Sequence, residues 1–262
     1  TTVWALAVAN DLSNPSLIYP DQRLIIPLQS ATLPAPILAV EFVPPRVAQG
    51  HTILIKVRTE EEVSLAGSID GQGLTFTGGE GEYWALAGFP PWSEPGAHPW
   101  SIVATDEGRK AVEASGYLLV TVAEFPIQYI DLPPEREGLL DPELGQAEWA
   151  KVKAVFLQVT PSKLWQGQFV LPIEGEVSSL FGTRRSYEGG PVASYHMGVD
   201  YVVPEGAPLV AANSGRIALA EELTVRGKTV IIDHGLGVHT GYFHLSGIAV
   251  VPGQEVEGGT LI

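Results

Sequence analysis

The sequence predicts a mainly β protein built from several small units in tandem. Three observations carry that expectation. Short runs rich in Val, Ile, Leu and Tyr recur along most of the chain, many with alternating polar residues. Twenty-one prolines and 29 glycines cut the 262 residues into blocks separated by turns. Helical spacing shows only in a short opening stretch and in one later segment near residue 150.

Composition bounds what such a chain does. An apolar content of 45% supports packed cores, and the length suffices for two or three domains. A net charge of -15 with no Lys/Arg cluster excludes nucleic acid and an anionic membrane surface as partners. No apolar run reaches 18 residues, so no membrane-spanning helix is expected. Cysteine is absent, which removes thiolate ligands and disulfides together. The first residues show no signal peptide, and the start at Thr1 points to a processed or trimmed N-terminus.

The blocks follow in order. Residues 1–29 read as a short helix, "TTVWALAVAND", a turn, "LSNPSLIYPDQ", and a strand, "RLIIP", too small to bury a core alone. Residues 30–124 open on a Pro-rich linker and continue as close-spaced strands: "HTILIKVRT", "EVSLAGSID", "GEYWALAGF", "PWSIVAT" and "GYLLVTV". That pattern predicts an antiparallel sandwich of the immunoglobulin-like sort. His51 and His98 stand alone there, and the block reads as a spacer or binding module. Residues 125–166 form a connector with one helix, capped by Asp141 and opened by Pro142, with Lys151 and Lys153 suiting its C-terminal dipole. Residues 167–262 return to strands: "FVLPI", "GVDYVVP", "PLVAANSGRIALAE", "KTVIIDHG" and "GVHTGYFHLSGIAVV".

Chemistry concentrates in this last block. His196 and Asp200 lie four apart, and Gly198 with Val199, Tyr201, Val202 and Val203 disfavours a helix and favours a strand. On one strand, positions i and i+4 share a face, so imidazole and carboxylate would point the same way. Both are zinc donors, and a satisfied structural histidine is the alternative. His234 reads as a turn residue after "IID". His239 and His244, five apart on one expected strand, face opposite sides, which places His239 near the surface and outside any site.

Two family resemblances add to these readings. The first block resembles the second half of a LysM peptidoglycan-binding module through Asn10, Leu12, Asn14, Pro15, Tyr19, Pro20, Gln22, Leu24, Ile26 and Pro27. Asp21 stands where that module usually has Gly, a replacement the turn accepts. The last block resembles the lysostaphin/LytM-type zinc metallopeptidases of peptidoglycan. The matching segments are "LFGTRR", "HMGVD", "GAPLVAANSGRI", "VIIDHGLGVHTGYFHLS" and "VPGQEVEGGTLI", in family order.

That second resemblance implies a C-terminal antiparallel β-sheet peptidase domain related to barrel-sandwich hybrids. It implies zinc as cofactor, His196 and Asp200 as metal ligands, and His244 as a catalytic histidine. Arg184 and Arg185 would flank the groove, with Tyr195 beside the ligand; no substrate-binding residue is assigned. The family's third ligand, in a His-x-His pair, would lie downstream of Ile262. The partner implied is peptidoglycan, and the location implied is the cell envelope. Two rivals stand beside the enzyme: an inactive wall-binding scaffold or activator of another hydrolase, and a lipoyl or biotinyl carrier domain. The carrier needs a Lys at a hairpin tip, and Lys228 lacks the flanking pattern.

Overall fold

The computed structural model describes residues 33–106, 111–131 and 142–262, together with positions 3, 6, 7, 10, 12, 14, 17–22 and 24. The chain divides into two compact units, Thr1–Ala123 and Glu124–Ile262. Val3, Leu6 and Ala7 are helical, as the first block predicts. In the turn that follows, Gln22 folds back so that its Oε1 accepts the Tyr19 N–H at 3.1 Å. Asp21 adopts φ +64°, the left-handed conformation that Asp tolerates better than most residues. The strand expected at Arg23–Pro27 falls largely outside the described residues, as does the cap at Asp141.

The rest of the first unit is a two-sheet sandwich. Strands β1 (Ile37–Val43), β3 (Thr52–Thr59), β7 (Glu82–Gly88) and β6 (Thr77–Gly79) form one sheet in the order β1-β3-β7-β6. The other runs β2-β9-β8-β4-β5, with β2 (Val47–Ala48), β9 (Val112–Thr121), β8 (Gly96–Thr105), β4 (Ser64–Ile69) and β5 (Gln72–Leu74). All five predicted strand runs are strands. Period-two alternation explains the packing: Ile53, Ile55 and Val57 of β3 point inward and share one core with Ile102, Leu118 and Val120 of the second sheet. The short β2 pairs parallel to β9, an exception to the expected antiparallel pattern.

The second unit contains β10 (Ile127–Ile130), helix α1 (Pro142–Phe156), β11 (Glu176–Ser179), β12 (Arg184–Tyr187), β13 (Val192–Tyr195) and β14 (Asp200–Val202). It continues with β15 (Gly215–Leu223), β16 (Gly227–Asp233), β17 (His239–Leu245) and β18 (Glu255–Val256). Three sheets result: β17-β16-β15-β18, β11-β14 and β10-β12-β13. The last contains a parallel pair, β10 with β12, where only antiparallel pairing was expected.

Strand β16 is the centre of this unit. Its run Thr229–Asp233 is buried at every position, the signature of a strand covered on both faces. Val230 and Ile232 pack with Ile217, Tyr242, Val256 and Ile262 on one side. Ile231 packs on the other with Val152 and Val155 of α1 and with Leu223. Val152, Val155 and Phe156 form the helix's apolar stripe at spacings of three and four, as predicted. The strand expected at Phe169–Ile173 does not form. Pro172 has no N–H to give a ladder, and the segment makes single main-chain bonds instead, Val170 to Ala212 at 2.9 Å and Val210 to Pro172 at 2.9 Å.

Candidate metal centre

His196 and Asp200 come together, though not on one strand. β13 pairs with β12 and ends at Tyr195, while β14 pairs with β11 and begins at Asp200. The chain therefore crosses between two sheets through His196–Val199, with a bend at Gly198. Contrary to the expected shared face of one strand, the two side chains converge across a loop. His196 Nε2 lies 3.0 Å from Asp200 Oδ1.

The segment "LFGT" fixes the imidazole. His196 donates its N–H to the Thr183 carbonyl at 2.8 Å, and its own carbonyl accepts the Gly182 N–H at 2.8 Å. Gly182 has φ +80°, and a Cβ there would lie 2.3 Å from the Phe125 ring, so only glycine fits. The ring's Nδ1 sits 3.2 Å from the Leu180 carbonyl oxygen and 3.0 Å from Ser179 Oγ. A carbonyl accepts only, so Nδ1 carries a proton and Nε2 is the nitrogen turned toward Asp200. Nε2 and the carboxylate oxygen lie 3.0 Å apart, a pairing that a proton or a cation between them satisfies.

Asp200 is half exposed, and its second oxygen, Oδ2, lies 3.6 Å from Arg185 Nη2. Arg185, read from sequence only as flanking a groove, instead steadies the carboxylate; nothing in its local sequence signals that contact. Tyr195 on β13 stacks edge-on with Phe181 at 6.5 Å, and burial raises its phenol above the usual value. The donor pair fits zinc in kind: an imidazole with its far nitrogen held, and a carboxylate. Among the described residues no third His, Cys, Asp or Glu joins the pair to complete a metal-holding group.

The other histidines divide. His244 lies on β17 with its side chain exposed, and no hydrogen bond or ion pair among the described residues joins it to the His196–Asp200 pair. It occupies a β-bulge: the β16–β17 register shifts between Lys228↔Leu245 and Val230↔Tyr242, and His244 takes φ +57°. Bulges re-aim side chains and cluster beside active sites. His239, expected near the surface, is buried; its side chain is 3% exposed. Phe156 of α1 meets the ring edge-on at 5.7 Å, and Asp233 Oδ1 lies 3.7 Å from Nε2. Sequence spacing on β17 cannot reveal that a helix covers this side.

His234 does follow the end of β16, but its ring is fully buried. Nδ1 donates to the Ser214 carbonyl at 2.7 Å, and Nε2 lies 2.8 Å from Thr240 Oγ1, a hydroxyl that can donate to a neutral ring. Burial is the main cause that pushes its pKa below the ordinary 6.5, outweighing the bond to Ser214. The unfolded chain therefore binds a proton that the folded ring refuses. Stability is full above about pH 6.5 and falls as the pH drops toward the depressed folded value. Urea midpoints between pH 8 and pH 5 are expected to fall for the wild type and to fall less for His234→Gln; equal slopes would remove His234 as the cause.

Residues 194–262 match the model of Peptidase family M23, and residues 1–27 match the LysM domain. The M23 match falls within the C-terminal unit. Both candidate metal ligands and His244 lie within the M23 match, whereas "LFGT" and Arg185 lie outside it. Peptidoglycan DD-endopeptidase ShyA of Vibrio cholerae is 34% identical over 86 residues, 33% of this chain and 20% of that protein. DD-carboxypeptidase/endopeptidase Mpg of Neisseria meningitidis is 39% identical over 89 residues, again 33% and 20%. Cell division protein DipM of Caulobacter vibrioides is 30% identical over 95 residues, 36% and 15%. The matched stretches thus span a fifth or less of these relatives' lengths. A crystal structure from Pseudomonas aeruginosa, described as a candidate M23 peptidase, superposes with a TM-score of 0.56 at 25% identity, covering 80% of this chain and 78% of that one.

Proposed function

We propose that this protein is a zinc-dependent endopeptidase that hydrolyses the peptide cross-links of bacterial peptidoglycan. The observation that carries the reading is the convergence of His196 and Asp200, with the imidazole's far nitrogen held by Leu180 and Ser179. His196 and Asp200 would hold the ion. Zinc, when bound, supplies a water acidified to a pKa of about 7 and polarises the scissile carbonyl.

The protein's own groups do the rest. Arg185, 3.6 Å from Oδ2, helps orient the Asp200 carboxylate. Hydrolysis adds a water oxygen to the carbonyl carbon, breaks the C–N bond and delivers a proton to the leaving amine. His244 serves as the proton-transfer group or as the hydrogen-bond donor to the oxyanion. The LysM match supports a glycan tether that raises the local concentration of substrate. The LysM match and the peptidoglycan-directed relatives support a site of action outside the cytoplasm.

The test uses the full-length gene product. About one zinc per chain, together with release of new amino groups from peptidoglycan that a chelator stops and zinc restores, is the expected result. Wall binding without metal or turnover would replace this reading with the inactive scaffold.

A further inference from the structure

We propose that Glu148 of helix α1 is a positioning residue for His244, acting through the β15–β16 turn. The inference rests on the proposed role of His244. It extends that role to an element outside the stretch matched to the M23 family.

Glu148 is buried although it is an acid, a placement that needs partners. Apolar packing of α1 is already provided by Val152, Val155 and Phe156, so the carboxylate is not required to fill that core. Its partners are both in one turn. Oε1 accepts the Val225 N–H at 2.7 Å, and Oε2 accepts from Arg226 Nη1 at 3.3 Å. Trp149, the next residue of the helix, places its ring 5.8 Å from the same guanidinium.

The other end of Arg226 reaches the bulge. Its carbonyl accepts the His244 N–H at 3.0 Å. His244 is held at φ +57°, a conformation unfavourable for an L-residue that persists only where surrounding contacts impose it. One residue thus receives the helix on its side chain and holds the bulged histidine on its main chain. Without the carboxylate, the turn loses its anchor and the Arg226 carbonyl loses its fixed place opposite His244. The backbone at His244 is then free to relax toward a regular strand, which would re-aim the imidazole.

The experiment compares Glu148→Ala and Glu148→Gln with Lys151→Ala. Lys151 pairs with Glu221 on β15 and so removes a helix–sheet contact without touching the turn. Amide hydrogen exchange and the imidazole NMR signals of His244 are read in the chain, and kcat and KM on peptidoglycan in the full-length product. In Glu148→Ala, exchange at Val225 and His244 is expected to rise together by about tenfold, the loss of one charged hydrogen bond. The His244 ring signals should shift, and kcat should fall by a similar factor with KM unchanged. Glu148→Gln keeps an acceptor for Val225 and should recover most of the protection; it carries the test if the alanine variant unfolds. Lys151→Ala should leave all of these as in the wild type.

Faster exchange at Val225 with His244 unmoved would overturn the proposal, as would equal effects in Lys151→Ala. A wild type without hydrolytic activity would sink the enzyme reading alone, because exchange and ring signals still decide whether Glu148 positions His244.

Discussion

Replacing His196 by alanine in the full-length product is expected to remove the bound zinc and lower peptidoglycan hydrolysis by about a thousandfold or more, because water activation is lost. The fold should survive. The main-chain bonds of residue 196 to Thr183 and Gly182 do not depend on the side chain, so the loop between β13 and β14 keeps its path. Asp200→Asn should weaken the metal less, since an amide oxygen still coordinates but carries no charge. Ser179→Ala should cost less still, because the Leu180 carbonyl continues to hold Nδ1. Zinc content, measured alongside turnover and circular dichroism, checks all three. Full zinc occupancy in His196→Ala would remove it from the ligand set.

Gly235→Ala is expected to be the most damaging single substitution for the stability of the C-terminal unit. Gly235 has φ +86°, and an added Cβ would lie 1.9 Å from the Ser162 carbonyl oxygen. That oxygen belongs to a segment tied to the same turn, because Leu164 donates to the His234 carbonyl at 2.8 Å and Leu236 to the Thr160 carbonyl at 2.7 Å. Backbone must therefore move. Left-handed strain adds about 1 kcal/mol, and the forced displacement a further 1–3 kcal/mol. A total of about 3 kcal/mol lowers the melting temperature by roughly 6–12 °C in a unit of this size. Gly237→Ala is the control: φ is +77°, yet its Cβ would meet nothing closer than 3.9 Å, so only the strain remains. Equal losses in the two variants would show that the contact with Ser162 is not the determinant.

The sandwich strands were legible because half-buried strands record their two faces as alternating residues, as in "HTILIKVRT". The run "KTVIIDHG" likewise announced a strand, β16, and the structure shows it covered on both sides. Helix α1 showed itself through its stripe of Val152, Val155 and Phe156, but the function of its buried acid did not. Glu148 reads on sequence as one more surface carboxylate, since its partners lie 77 and 78 residues away. Phe169–Ile173 failed in the opposite direction: its apolar letters resemble a strand, and the missing donor of Pro172 with no partner strand prevents one.

The sequence by itself singled out the residues proposed to carry the chemistry. His196, Asp200 and His244 stand in short motifs whose order is fixed along the chain, and local propensity placed strands and turns around them. Tertiary structure alone decided how those residues meet. His196 and Asp200 converge because β13 and β14 pair with different partners and the chain must bend between two sheets. Arg185 reaches Asp200, α1 covers His239, and Glu148 braces the turn that holds His244. Contacts of this kind depend on which elements pack together, a property of the whole core that no window of neighbouring residues encodes.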